Sequence, residues 1–166
     1  MQLQVMLALA LPLLVTSSPI INTNNRKRAG GPVTQPIPSN CTVLNPFPGA
    51  QCNNATAGST NGWMPSKNFT AAHSLYSAYY TSTGSVAEQW EFCSQQCYGY
   101  GLPGSCKSVV LAYDAPTPPG YYGTEGGDLE TGCLMFDTYL DPNSFEHAPE
   151  GQYVNETAGS IYCPAS

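Results

Sequence analysis

Residues 85–99 read SVAEQWEFCSQQCYG, and this stretch decides the fold. Ser85 followed three residues later by Glu88 is a capping-box pattern: the serine side chain takes a backbone N–H of the first turn and the glutamate reaches back to the cap. Gly99 is a helix-ending residue. Between them Val86, Trp90, Cys93 and Cys97 fall at helical spacing and share one face. The neighbouring segments supply a sheet for that face. Upstream, His73–Ser82 (HSLYSAYYTS) is rich in tyrosine and reads as a strand. Downstream, after a turn over Gly99–Gly104, Cys106–Tyr113 (CKSVVLAY) has the β-branched, apolar content of a buried strand. Leu129–Leu140 contains a second core strand, Cys133–Phe136, and Ser160–Cys163 reads as a short final one. The fold class is therefore α+β: one helix packed on a small antiparallel sheet, with long Gly/Pro-rich loops.

The rest of the chain fits around this unit. Its 166 residues make one domain of ordinary size. Sixteen glycines and 15 prolines put much of the backbone in turns and rule out a helical bundle. Residues 29–50 hold five prolines and read as extended, residues 51–70 are rich in Asn, Thr, Ser and Gly, and Asp114–Asp128 reads as a long irregular loop. The formal charge of −6 excludes a basic nucleic-acid binder, because phosphate contacts need Lys and Arg.

The N-terminus reads as an address. Val5–Val15 is an apolar run too short to span a bilayer comfortably, and Val15 and Ser17 fit a small-residue cleavage site. Arg26-Lys27-Arg28, the one cluster of positive charge, suits a processing protease of the secretory pathway. The expected organisation is a signal peptide over 1–17, a propeptide over 18–28, a Pro/Asn/Thr-rich segment over 29–69 and the folded domain over 70–166. Cleavage near Ala29 leaves Lys67 and Lys107 against eleven acids, a net charge of −9. Secretion also gives meaning to four glycosylation sequons, at Asn40, Asn54, Asn68 and Asn155. The expected location is extracellular, with no membrane association once the signal is removed.

Seven cysteines in a secreted chain leave one over. Cys93 and Cys97 stand one helical turn apart and face the same sheet, so each can reach a different strand. Cys97–Cys106 closes a short turn, Cys93–Cys133 ties the helix to the second core strand, and Cys163 holds the C-terminus to Cys41 or Cys52. The competing use of Cys93-x-x-x-Cys97, a zinc site, lacks a second close Cys/His pair. No metal or other cofactor is expected.

The cysteine frame resembles a known family. A helix with two cysteines (WEFCSQQC, 90–97), a cysteine opening a strand (CKSV, 106–109) and another opening the next (CLMF, 133–136) is the pattern of the PAN/apple family. The strings GYYGTEGGDLET (120–131) and PEGQYVN (149–155) resemble small secreted apple-like proteins of filamentous fungi. The resemblance covers about residues 70–163. It implies a helix packed across a curved antiparallel sheet, and binding to proteins or carbohydrates rather than catalysis.

The chemistry of the side chains points the same way. His73 and His147 sit in no nucleophile motif, and no G-x-S-x-G occurs. Asp114, Glu125, Asp128, Glu130 and Asp137 raise a glycosidase pair or a calcium loop as alternatives, but Glu125–Glu130 lacks the alternation of a calcium loop and reads better as a solvated acidic turn. Tyrosines are the stronger signal. Tyr79, Tyr80, Tyr98, Tyr100, Tyr121 and Tyr122 fall at strand ends or in loops, where a flat ring with a polar tip suits a sugar face or a protein hot spot. Tyr121 and Tyr122, at the tip of Thr117–Gly127, are the candidate ligand-binding residues. The expected function is a secreted, non-catalytic binding module for an extracellular glycan or protein. The alternatives are a secreted hydrolase using the acidic loop and a structural or host-facing secreted protein with no small ligand.

Overall fold

The computed structural model describes residues 31–47 and 62–164. The signal-peptide and basic-cluster readings, Cys52 and Asn54 lie outside the described residues. Five strands form one antiparallel sheet: β1 (Thr42–Leu44), β3 (Ser74–Tyr80), β4 (Ser108–Pro116), β5 (Leu129–Phe136) and β7 (Val154–Tyr162), in the order β1-β7-β4-β5-β3. A second, two-stranded sheet pairs β2 (Trp63–Pro65) with β6 (Phe145–His147). Helix α1 spans Lys67–His73 and helix α2 spans Val86–Tyr98. The class is α+β, with helices on antiparallel sheets.

Central position explains why Ser108–Ala112 is an unbroken buried run: β4 is flanked by β5 and β7 and covered on both faces. Val109 and Leu111 face α2, together with Cys93, Cys97, Cys133, Met135 and Ile161. Val110 and Ala112 face the other way, into a cluster with Phe47, Leu134, Phe136, Phe145 and Ala158.

Helix α2 forms as its capping box predicts, with the Ser85 hydroxyl accepting from the Glu88 N–H at 3.3 Å and a Glu88 carboxylate oxygen accepting from the Ser85 N–H at 2.9 Å. These bonds hold the Glu88 carboxyl below its usual pKa. Val86, at the exposed first turn, is the one member of the apolar stripe left in solvent. The helix lies close over β7 because position 159 is glycine: a Cβ there would stand 2.6 Å from Val43 Cγ1 and 2.9 Å from the Trp90 ring. Three disulfides fix this side: Cys93–Cys133, Cys97–Cys106 and Cys41–Cys163. The last selects Cys41 over Cys52 as the partner of Cys163. The extended stretch before β1 runs along α2, with Gln35 N–H donating to the Gln95 carbonyl at 3.0 Å and Gln96 Nε2 to the Pro32 carbonyl at 3.2 Å.

Several elements differ from the sequence reading. A second helix, α1, precedes β3, so the strand starts at Ser74 rather than His73. Ser66 caps α1 by accepting from the Phe69 N–H at 3.3 Å, and Phe69 packs against Phe136 with ring centroids 5.1 Å apart. Two turns are too short to show a periodic stripe, and packing rather than propensity holds them. Strand β7 is longer than the expected Ser160–Cys163. Its first half, Val154–Gly159, is poor in strand-forming residues and is held by pairing with β4. There Glu156 is fully buried and one carboxylate oxygen accepts from the Trp63 N–H at 3.1 Å, tying the small sheet to the large one. Finally, Asp114–Pro116 is not loop but the end of β4: Asp114 lies in a bulge between Ala112 and Ala115, and Ala115 and Pro116 pair with β5 beyond it.

Candidate functional site

Residues 117–128, read as irregular, form an ordered loop closed by its own hydrogen bonds. At its neck the Thr117 N–H donates to the Asp128 carbonyl at 2.9 Å, and the Gly127 N–H donates to the Thr117 carbonyl at 2.8 Å. At its tip Tyr121–Gly123 makes a single 3-10 turn. The Thr124 hydroxyl donates to the Tyr121 carbonyl at 2.8 Å and accepts from the Gly126 N–H at 3.3 Å. Gly126 has φ +80°, and a Cβ there would sit 2.6 Å from Pro119 N and 2.7 Å from the Pro118 carbonyl carbon. The chain crosses itself at that point, which only glycine permits.

The two candidate tyrosines have different positions. Tyr121 points inward. Its hydroxyl accepts from the Tyr79 N–H at 2.9 Å and donates to the Tyr79 carbonyl at 3.2 Å. Strand β3 is an edge of the main sheet, so this one hydroxyl occupies backbone groups that would otherwise be open to another strand. Tyr121 and Tyr79 also meet ring to ring, edge-on, at 5.0 Å. Burial is the main cause of the raised Tyr79 pKa, with nearby Tyr153 and Tyr121 adding to it; burial likewise raises Tyr153. Tyr122 points outward, 75% exposed, its ring edge-on to Tyr121 at 4.6 Å. Its backbone is left-handed at φ 50°, unusual for a bulky residue. Tyr121 is thus the anchor, and Tyr122 is the group it presents.

Beside the loop's base runs a groove of about 520 Å³, lined among others by Met64, Pro65, Lys67, Pro116, Gln152 and Tyr153. Tyr153, like Asp114 and Asn155, has a positive φ, and the Tyr153 N–H donates to the Asp114 carbonyl at 3.3 Å across the β4 bulge. Backbone strain therefore concentrates beside the groove and at the loop tip. Sequence reading missed the groove, because its walls come from α1 and β2, which it did not see.

The other candidate residues are dispersed. Asp114 sits at the bulge; Glu125 and Asp128 are exposed on the loop; Glu130 accepts from the Thr81 hydroxyl at 3.2 Å; Asp137 accepts from His73 Nδ1 at 3.0 Å. His147 stacks on Trp63 at 3.9 Å. Among the described residues no three His, Cys, Asp or Glu side chains come together as a metal site would require, and no helix is long and apolar enough to cross a membrane. Tyr100 donates to the Leu75 carbonyl at 3.4 Å, and Tyr98 ends α2. Asn40, Asn68 and Asn155 are exposed, but Glu156 and Thr157 of the Asn155 sequon are buried in the sheet. A sugar on Asn155 would have to be attached before β7 closes. No family model, curated protein or solved structure matches the chain.

Proposed function

We propose that this protein is a secreted, non-catalytic binding module of the PAN/apple-like kind, which engages an extracellular partner through the loop Thr117–Gly127. The observation that carries the reading is Tyr122, a large ring held out in solvent by a loop whose every turn is hydrogen-bonded. A side chain presented this way loses little freedom on binding, so its contact area is converted to affinity at low entropic cost. Three disulfides suit the oxidising environment that secretion implies.

Shape and charge favour a protein partner with a basic surface over a glycan. Tyr122 protrudes, as an anchor that fills a partner's pocket does. Exposed Glu125 and Asp128 stand on the same loop. Binding should therefore be faster at low salt, because carboxylates steer a basic partner. The test is immobilised basic extracellular proteins beside a glycan array, each probed with wild type and Tyr122→Ala. Loss of protein binding in the variant, with unchanged circular dichroism, supports the proposal. Binding by both chains alike removes the loop from the account.

A further inference from the structure

At the other end of the sheet a second feature stands apart from the loop. Strand β4 begins beside Lys107 and ends nine residues later at Pro116, so the two ends are about 25 Å apart. Beside Lys107 lies a groove of about 440 Å³ whose lining includes Tyr98, Pro103, Lys107, Tyr139, Ile161 and Cys163. Tyr139 and Tyr162 stack at its side with ring centroids 4.1 Å apart and planes within 14°, and they remain 41% and 38% exposed. The Lys107 ammonium lies over the Tyr139 ring, 5.7 Å from its centroid.

This corner is held in place from several sides. The Lys107 N–H donates to the Phe136 carbonyl at 2.9 Å, and the Lys107 carbonyl accepts from the Ile161 N–H at 2.8 Å. Tyr139 sits between Thr138, whose carbonyl accepts from the Ser108 hydroxyl at 2.7 Å, and Leu140, whose N–H donates to the Ser160 hydroxyl oxygen at 3.0 Å. Cys106 and Cys163, each in a disulfide, line the groove.

The charge is what singles the corner out. Lys67 and Lys107 are the only Lys or Arg among the described residues, against eleven acids. Yet Lys107 forms no ion pair among the described residues. The acids nearest to Tyr139 in sequence are both engaged elsewhere: Asp137 with His73 at 3.0 Å, and Asp141 with the Asn143 and Ser144 N–H groups at 2.8 and 3.0 Å. An ammonium without an ion pair among the described residues, above a half-exposed aromatic ring and at the rim of a preformed groove, is arranged for an anion that also has an apolar face.

We infer that the Lys107–Tyr139–Tyr162 corner binds a sugar residue carrying a single carboxylate, a hexuronate within an otherwise neutral glycan. The C–H face of the pyranose lies on a tyrosine ring, and the carboxylate takes the Lys107 ammonium as a charge-assisted partner. One carboxylate is specified because each further negative charge meets the field of the eleven acids. This site does not depend on the loop, and the two can fail separately.

The probe is a neutral oligosaccharide bearing one glucuronate, titrated by calorimetry into the disulfide-intact protein. Its carboxyl-reduced counterpart and free acetate serve as controls. The acidic oligosaccharide should bind about tenfold more tightly than the reduced one. Lys107→Gln should abolish that preference while leaving the reduced sugar unaffected. Tyr139→Ala should weaken both sugars, and Tyr162→Ala should do the same if the first variant fails to fold. Absence of binding overturns the inference. So does equal binding of the two oligosaccharides, an unchanged preference in Lys107→Gln, or acetate alone binding as tightly as the sugar.

Discussion

The two faces of the main sheet are held by different means. On the α2 face, Cys93, Cys97, Cys106 and Cys133 lie within the buried cluster, Cys41 packs against it, and all three disulfides belong to that side. On the opposite face the cluster mixes Phe47, Tyr79, Phe136 and Phe145 with aliphatic side chains and, among the described residues, contains no cysteine. Short elements close it: the two-turn α1, the three-residue strands β2 and β6, and the tyrosine loop. Covalent bonds tie the first face together in addition to its close packing, as at Gly159 under Trp90. The second face depends on fit, through Phe69 on Phe136, Trp63 on His147 and the Tyr121 hydroxyl on the backbone of Tyr79. The proposed recognition loop and its groove stand on this second face, where a surface can vary without disturbing the disulfide frame.

The largest test of this division removes a staple. Replacing Cys93 and Cys133 together by alanine releases a loop of 40 residues, and should cost about 3–4 kcal/mol in denaturant unfolding. A loss under about 1 kcal/mol would mean that this staple is not what holds α2 to the sheet. Next in size is Gly126→Ala, which forces a Cβ against Pro118 and Pro119 at a positive φ. It should cost about 1–3 kcal/mol, and proteolysis should find the new weakness at the loop, with the disulfide map unchanged.

Those two predictions also mark where the sequence was legible. Cysteines announce themselves, and the capping box with its four-residue stripe defined α2, so Cys93–Cys133 and Cys97–Cys106 could be read directly, while the partner of Cys163 stayed open between Cys41 and Cys52. Helix α1, with a stripe of one aromatic, and strands β2 and β6, of three residues each, carry too few positions for any periodicity to show. The polar part of β7 was left out of the expected final strand because Asn155, Glu156 and Thr157 look like solvent-facing residues; pairing with β4 and the Trp63 N–H holds Glu156 and Thr157 inside. At the loop, the pair Tyr121-Tyr122 was visible, but not that one ring is an anchor and the other is presented. That distinction rests on a hydrogen bond to a residue 42 positions away.

A smaller effect sharpens the comparison through pH. Burial raises the Tyr79 pKa above its ordinary value of 10.0, so the folded chain keeps a proton that the unfolded chain releases. Its stabilising contribution is full below about pH 10 and is lost as pH climbs toward the raised value. Stability should therefore fall with alkalinity, and in Tyr79→Phe the fall should be shallower by up to one proton per molecule. An identical slope in both chains would place the titrating group elsewhere.

The smallest effect on stability should accompany the largest on binding. Tyr122 is held by the loop and holds little in return, so Tyr122→Ala should change unfolding stability by less than about 0.5 kcal/mol. The most direct measurement is the affinity of wild type and Tyr122→Ala, side by side, for the immobilised extracellular protein that wild type binds most tightly in low salt. The account predicts at least a tenfold loss, about 1.4 kcal/mol, in a variant of unchanged stability. Equal affinity of the two chains would contradict it.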